Sequence, residues 1–144
     1  MSFRAPDLLA PLTSLLGIRA GMNVSVKNAP KGFLEALAPL PEGAALVDSA
    51  KTGLDAIILF TEKKLEVLDL LTRHIPLMSV TGSIWVVFPT GEAAGAPTED
   101  FVRLAALELG LEDTRRVFLG PAWVALRLQW RRGAPRLEKP QAQA

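Results

Sequence analysis

Neither cysteine nor tyrosine occurs among the 144 residues, and histidine occurs once, as His74. The lack of thiols excludes disulfides, thiolate metal sites and cysteine nucleophiles, and it agrees with a reducing compartment. One histidine cannot build a histidine-rich metal centre, so acid/base chemistry falls to carboxylates and lysines. Long apolar runs are missing too. The best stretch, LDAIILF over 54–60, is far short of the roughly 18 residues needed to span a bilayer. The opening segment, MSFRAPDLLAPLTSLLG, sets Asp7 and two prolines among its leucines and does not have the form of a signal peptide. These absences predict a soluble, cytoplasmic protein with no membrane partner.

Strong charge of one sign is also lacking, since the net charge is +1. Residues 131–144 hold Arg131, Arg132, Arg136 and Lys139 against Glu138, which leaves the preceding chain slightly acidic. A nucleic-acid binder needs a basic stripe on its folded part, because counterion release supplies much of the affinity. The sequence therefore disfavours nucleic acid as a partner. Apolar residues make up 49% of the chain, enough for one domain to close a core without staples. The predicted domain spans residues 1–131, and 132–144 reads as a flexible basic tail.

Spacing then gives the elements. Leu8, Leu9, Leu12, Leu15 and Leu16 predict a helix over about 8–16, closed by Gly17. Met22, Val24 and Val26 alternate with polar neighbours and predict a half-buried strand. Pro30 opens a short helix with Phe33, Leu34 and Leu37 on its apolar face, and Pro39 and Pro41 stop it. ALVDS at 45–49 reads as a brief strand ending at Asp48, and the run Ala56–Phe60 as a central strand covered on both faces. Thr61 caps a helix whose predicted inward face is Leu65, Leu68, Leu71 and Ile75. SIWVVF at 83–88 is another buried strand. Thr98 caps a last helix that carries Glu99 and Asp100 in its first turn and ends at Gly110. TRRVFL and AWVALRLQW, joined through Gly120-Pro121, predict an antiparallel hairpin. The alternation requires right-handed crossovers onto a mostly parallel sheet, which makes this an α/β, doubly wound fold.

The second half, with DAIILF, a helix, GSIWVVF, the helix ending ALELG and a terminal hairpin, resembles the closing half of class I methyltransferase-like domains. Over residues 15–131 the chain is similar to a family of short bacterial proteins of unknown function, through GMNVSVKNAPKGFLEAL, IWVVFP and AWVALRL. The resemblance implies a shortened Rossmann-type sheet and no demonstrated activity. It also directs attention to the loop after the first strand, where a methyltransferase of this architecture places a glycine-rich turn against S-adenosylmethionine. Here the loop reads KNAPKGF, with Gly32 its one glycine and Pro30 lacking an amide donor. S-adenosylmethionine is therefore disfavoured, and no cofactor is predicted.

Candidate ligand-binding residues are Asn28, Lys31 and Gly32 in that loop, Asp48 about 20 residues on, where such folds often hold ribose hydroxyls, and Thr61 at the end of the central strand. Each has a plainer reading: a strand-to-helix turn, an acid bonding its own backbone, a helix cap. No catalytic residue is predicted. The serines lack a nucleophile elbow, and His74 beside Arg73 reads as a surface cap of its helix end. Trp130, nearest the chain's end, reads as the exposed tryptophan. Arg115, Arg116, Arg127, Arg131 and Arg132 gather at the hairpin, where arginines guard an edge strand against pairing.

Three functions remain in order. The first is a non-catalytic methyltransferase-like domain acting by protein contact or self-association. The second is a binder of nucleotide-like or anionic small molecules, or a weak transferase. The third is a nucleic-acid accessory protein using the arginine-rich hairpin. Abundant leucine, alanine and arginine with 11 prolines also suits either a thermophile or a GC-rich genome.

Overall fold

The computed structural model describes residues 3, 10–47, 51–91 and 93–131. Its elements in chain order are α1 (Leu12–Leu15), β1 (Asn23–Lys27), α2 (Phe33–Leu37), β2 (Ala45–Leu46), β3 (Leu54–Phe60), α3 (Val67–His74), β4 (Met78–Pro89), α4 (Glu99–Glu108), β5 (Leu111–Phe118) and β6 (Trp123–Trp130). The strands form one six-stranded sheet in the order β2-β1-β3-β4-β6-β5. Every neighbour pair from β2 through β4 is parallel, and β6 is antiparallel to both β4 and β5.

The chain leaves β1 toward β2 and then returns to the other side of β1 to lay down β3. Right-handed crossovers in opposite directions put their helices on opposite faces. Accordingly α1 and α2 pack on one face with Val24, Ala56, Ile58, Phe60, Trp85 and Val87. α3 and α4 cover the other with Ile57, Leu59, Ile84, Val86 and Phe88. Alternate residues of β3 and β4 thus feed two separate cores, which is why these strands read as unbroken apolar runs.

Several elements depart from the sequence reading. α1 keeps only Leu12–Leu15 among the described residues, because Pro11 is its extended N-cap; the rest of the predicted helix, residues 8 and 9, lies outside them. It is pinned to the sheet by the Trp85 indole, whose Nε1 donates to the Leu16 carbonyl at 3.1 Å. α3 buries Val67, Leu70, Leu71 and His74, and Ile75 behind it is buried too, so Leu71 and Ile75 of the expected face point inward, whereas Leu65 is 86% exposed and Leu68 is also exposed. A tight 3-10 turn over Lys64–Glu66 precedes α3 and resets its phase, which displaces the first half of the expected face. α4 starts as predicted, with Phe101 N–H donating to Thr98 Oγ1 at 3.1 Å. The hairpin forms as predicted, and β6 is inserted between β4 and β5 instead of lying at the sheet edge. The predicted tail begins at residue 132, outside the described residues.

His74 is a correction. It is 4% exposed, and its Nδ1–H donates to the Leu70 carbonyl at 2.7 Å. Burial, against the opposing pull of that hydrogen bond, holds its pKa below the ordinary histidine value. Trp130 is half-buried against the α3/α4 core and is not an exposed ring.

Candidate functional site at the ends of β1 and β3

The chain adds β2 on one side of β1 and β3 on the other, and in open α/β sheets such a switch point opens a crevice at the carboxyl ends of the strands. A hollow of about 440 Å³ lies there, lined by Asn28 and Pro30 after β1, Phe60, Thr61, Glu62 and Lys63 at the end of β3, Glu66 ahead of α3, and Trp123 at the start of β6. Phe60 and Trp123 form its aromatic floor, their rings edge-to-face at 5.4 Å.

Asn28 adopts a left-handed backbone, φ 62°, which asparagine tolerates better than most residues. Its Nδ2 donates to the Phe60 carbonyl at 3.3 Å and so ties the two strand ends together. Thr61 is 5% exposed. Its hydroxyl accepts from Lys63 N–H at 3.2 Å and lies within donating reach of the Lys63 carbonyl, at 3.1 Å, and of Glu66 Oε1, at 3.2 Å. Thr61 is thus a turn-former that positions Glu66, where the sequence suggested a helix cap.

Lys31 and Gly32 do not line the hollow. The Lys31 carbonyl accepts from Phe3 N–H at 2.7 Å. Gly32 has φ 93°, and a Cβ placed there would come within 2.7 Å of the Phe3 carbonyl oxygen. Glycine is required at this position by both conformation and space. The buried Phe3 ring packs edge-to-face on Phe33 at 5.3 Å, Phe33 on Phe60 at 4.7 Å, and Phe60 on Trp123, so four rings run from the covered turn to the floor of the hollow. Asp48 lies outside the described residues. The structure therefore brings Asn28 and Thr61 together and leaves Lys31 and Gly32 beside Phe3. Glu66, Phe60 and Trp123 were missed because they converge from three segments; the one sequence signal was the strand-end position of Phe60.

A second, larger hollow of about 750 Å³ lies beyond β4. It is walled by Pro89, Thr90, Gly91 and Gly95, the α4 start and Phe118. At the hairpin, Arg116 pairs with Glu99 at 3.1 Å, and Arg127 lies over Trp85 with its Nε donating to Thr114 Oγ1 at 2.9 Å. Arg115 and Arg131 are exposed, and Arg132 lies outside the described residues. Among the described residues no helix is long and apolar enough to cross a membrane.

No curated protein sequence matches the chain. Among solved structures it is similar to a SAM dependent methyltransferase from Aquifex aeolicus, with 14% identity and a TM-score of 0.56, over 85% of this chain and 90% of that one. It is similar to a possible exported protein from Bordetella parapertussis, with 13% identity and a TM-score of 0.60, over 81% of this chain and 64% of the other. TrmN from Thermus thermophilus matches with 15% identity and a TM-score of 0.54, over 89% of this chain and 52% of its own length. The chain thus spans less than two thirds of the latter two proteins. At these identities the likeness is one of fold, a methyltransferase-like α/β sheet. A family model matches residues 37–132, two thirds of the sequence, and by it the chain belongs to the family described as Protein of unknown function (DUF3052).

Proposed function

We propose that this domain is a non-catalytic, methyltransferase-like unit that works through contact with another protein or with copies of itself. The observation that carries this reading is the placement of Phe3. In a SAM dependent relative the turn after the first strand is kept bare for the cofactor. In this chain the main chain of Phe3 lies on that turn, bonded to Lys31 and in contact with Gly32. Pro30 lacks an amide, and Phe33 N–H is bonded to the Pro30 carbonyl at 3.1 Å, so neither residue offers the turn a donor for a ligand. A contact role finds further support in the outward side of α3 and α4 and the turn before α3, where Leu65, Leu68, Phe101 and Leu104 are exposed.

Thermal unfolding with S-adenosylmethionine and with its demethylated product tests the reading. Neither ligand is expected to raise the melting temperature. A stabilisation of about 2.7 kcal/mol, expected when ligand stands a hundredfold above its dissociation constant, would overturn it.

The hollow between β1 and β3 favours a second reading, a small-molecule site. Its volume falls within the roughly 300–1,000 Å³ usual for such pockets. Asn28 and Thr61 belong to this reading by position, while Lys31 and Gly32 would join it only if Phe3 were displaced.

A further inference from the structure

We propose that the outward side of α3 and α4 is the contact surface between two copies of this chain, related by a twofold axis that lays each helix antiparallel on its counterpart. The inference rests on the contact reading above and names its partner.

Both helices bury one side and leave large apolar side chains on the other. Val102, Ala105 and Ala106 of α4 face the sheet, whereas Phe101, Leu104 and Leu107, spaced every third residue, are 36%, 61% and 38% exposed. Leu65, just ahead of α3, and Leu68 within it are exposed as well. The two groups form one patch, because α3 and α4 run side by side in the same direction and Lys64 Nζ, next to Leu65, stands 6.0 Å from the centroid of the Phe101 ring. Single exposed leucines are ordinary on a surface, but a contiguous apolar patch marks an interaction site.

The charges around the patch fit a second copy. Glu108 lies in the last turn of α4, which holds no basic residue and where the helix dipole disfavours an acid. It follows Phe101 by two turns and shares its side of the helix, yet the Lys64 ammonium stands at the other end, over Phe101. Reversing α4 against a second copy brings the Lys64 of each chain to the Glu108 of the other. On α3 the exposed Asp69–Arg73 pair, 2.9 Å apart, inverts in the same way, so that Asp69 of one copy meets Arg73 of the second. Asp100, at the start of α4, is already paired with Arg103 at 2.7 Å. Counted on both copies, such a patch buries on the order of 1,000 Å², the lower end for a specific interface, so the dimer is weak and reversible.

Sedimentation equilibrium of the full chain, from about 1 μM to about 1 mM, tests the assignment, with a dimerisation constant expected on the order of 10–100 μM. Leu104→Glu changes an exposed helix position, so the melting temperature should stay near the parent's while association weakens about a hundredfold. Lys64→Glu and Glu108→Lys should each weaken association about fivefold at low salt. An equal mixture of these two variants should associate as tightly as the parent, because each chain then meets the opposite charge on the other. A mixture no tighter than its components overturns the antiparallel arrangement. A chain that stays monomeric at about 1 mM, or a dimer that survives Leu104→Glu, overturns the inference as a whole. The monomer result without stabilisation by S-adenosylmethionine leaves contact with a different protein in place, whereas stabilisation by that ligand removes the reading beneath.

Discussion

The two faces of the sheet are built by different means. On one, α3 and α4 have eight and ten residues, and they bury leucine, valine and alanine in ridges against β3 and β4. On the other, α1 and α2 have four and five residues, too short to hold themselves, and a chain of edge-to-face rings from Phe3 to Trp123 substitutes for helix length. The difference teaches where helices carry the packing and where rings do. The α3/α4 face is held by regular helices over β3 and β4. The abbreviated face borders the turn after β1, and aromatic packing runs from Phe3 beside that turn to Trp123.

Removing a ring from the abbreviated face is the most direct way to break this comparison. Phe33 is fully buried and touches rings on both sides, so Phe33→Ala is expected to cost about 3–5 kcal/mol in denaturant unfolding and to release Phe3 from Lys31. A loss under about 2 kcal/mol would show that α2 stands without its rings. Gly32→Ala should cost less, about 1–3 kcal/mol, since it adds a Cβ within 2.7 Å of the Phe3 carbonyl at a positive φ. Slow amide exchange at Phe3 should disappear with it. A near-neutral variant would mean that Phe3 is not held against the turn.

The smallest effect belongs to the regular face and sharpens the contrast through pH. His74 is buried there with its pKa depressed, so folded and unfolded chains both carry it neutral above about pH 6.5. Below that pH the unfolded chain takes up a proton that the buried ring resists, and stability falls until the folded ring protonates as well. Unfolding free energies measured between pH 7.5 and 5.5 should show this decline in the parent and not in His74→Gln. An unchanged slope in the variant would assign the decline to other groups.

Much of the architecture was legible because the strands report themselves twice. Ala56–Phe60 and Ile84–Phe88 are apolar on both faces, Thr98 with Glu99 and Asp100 marks the start of α4, and the tight Gly120-Pro121 turn defines the hairpin. The phase of α3 was not legible. Leu65 and Leu68 fit a helical repeat as well as Val67 and Leu70 do, and the 3-10 turn that chooses between them depends on Thr61 and on the Lys64–Gly95 bond from a distant loop. The site was harder still. Asn28 and Thr61 could be named from strand ends, but the cover over Gly32 comes from Phe3 and the floor from Trp123, contacts that no local pattern encodes.

The insertion of β6 between β4 and β5 sets an order of assembly. Strands β2 to β4 can each join a neighbour already synthesised, whereas β5 emerges from the ribosome with its place in the sheet still separated from β4 by a missing strand. Until residues 123–130 arrive, β4 presents Val86 and Val87 along an unprotected rim, a template for the wrong partner. A chain halted just short of Trp123 would thus leave that rim open, and the final hairpin serves as the clasp that ends this exposure.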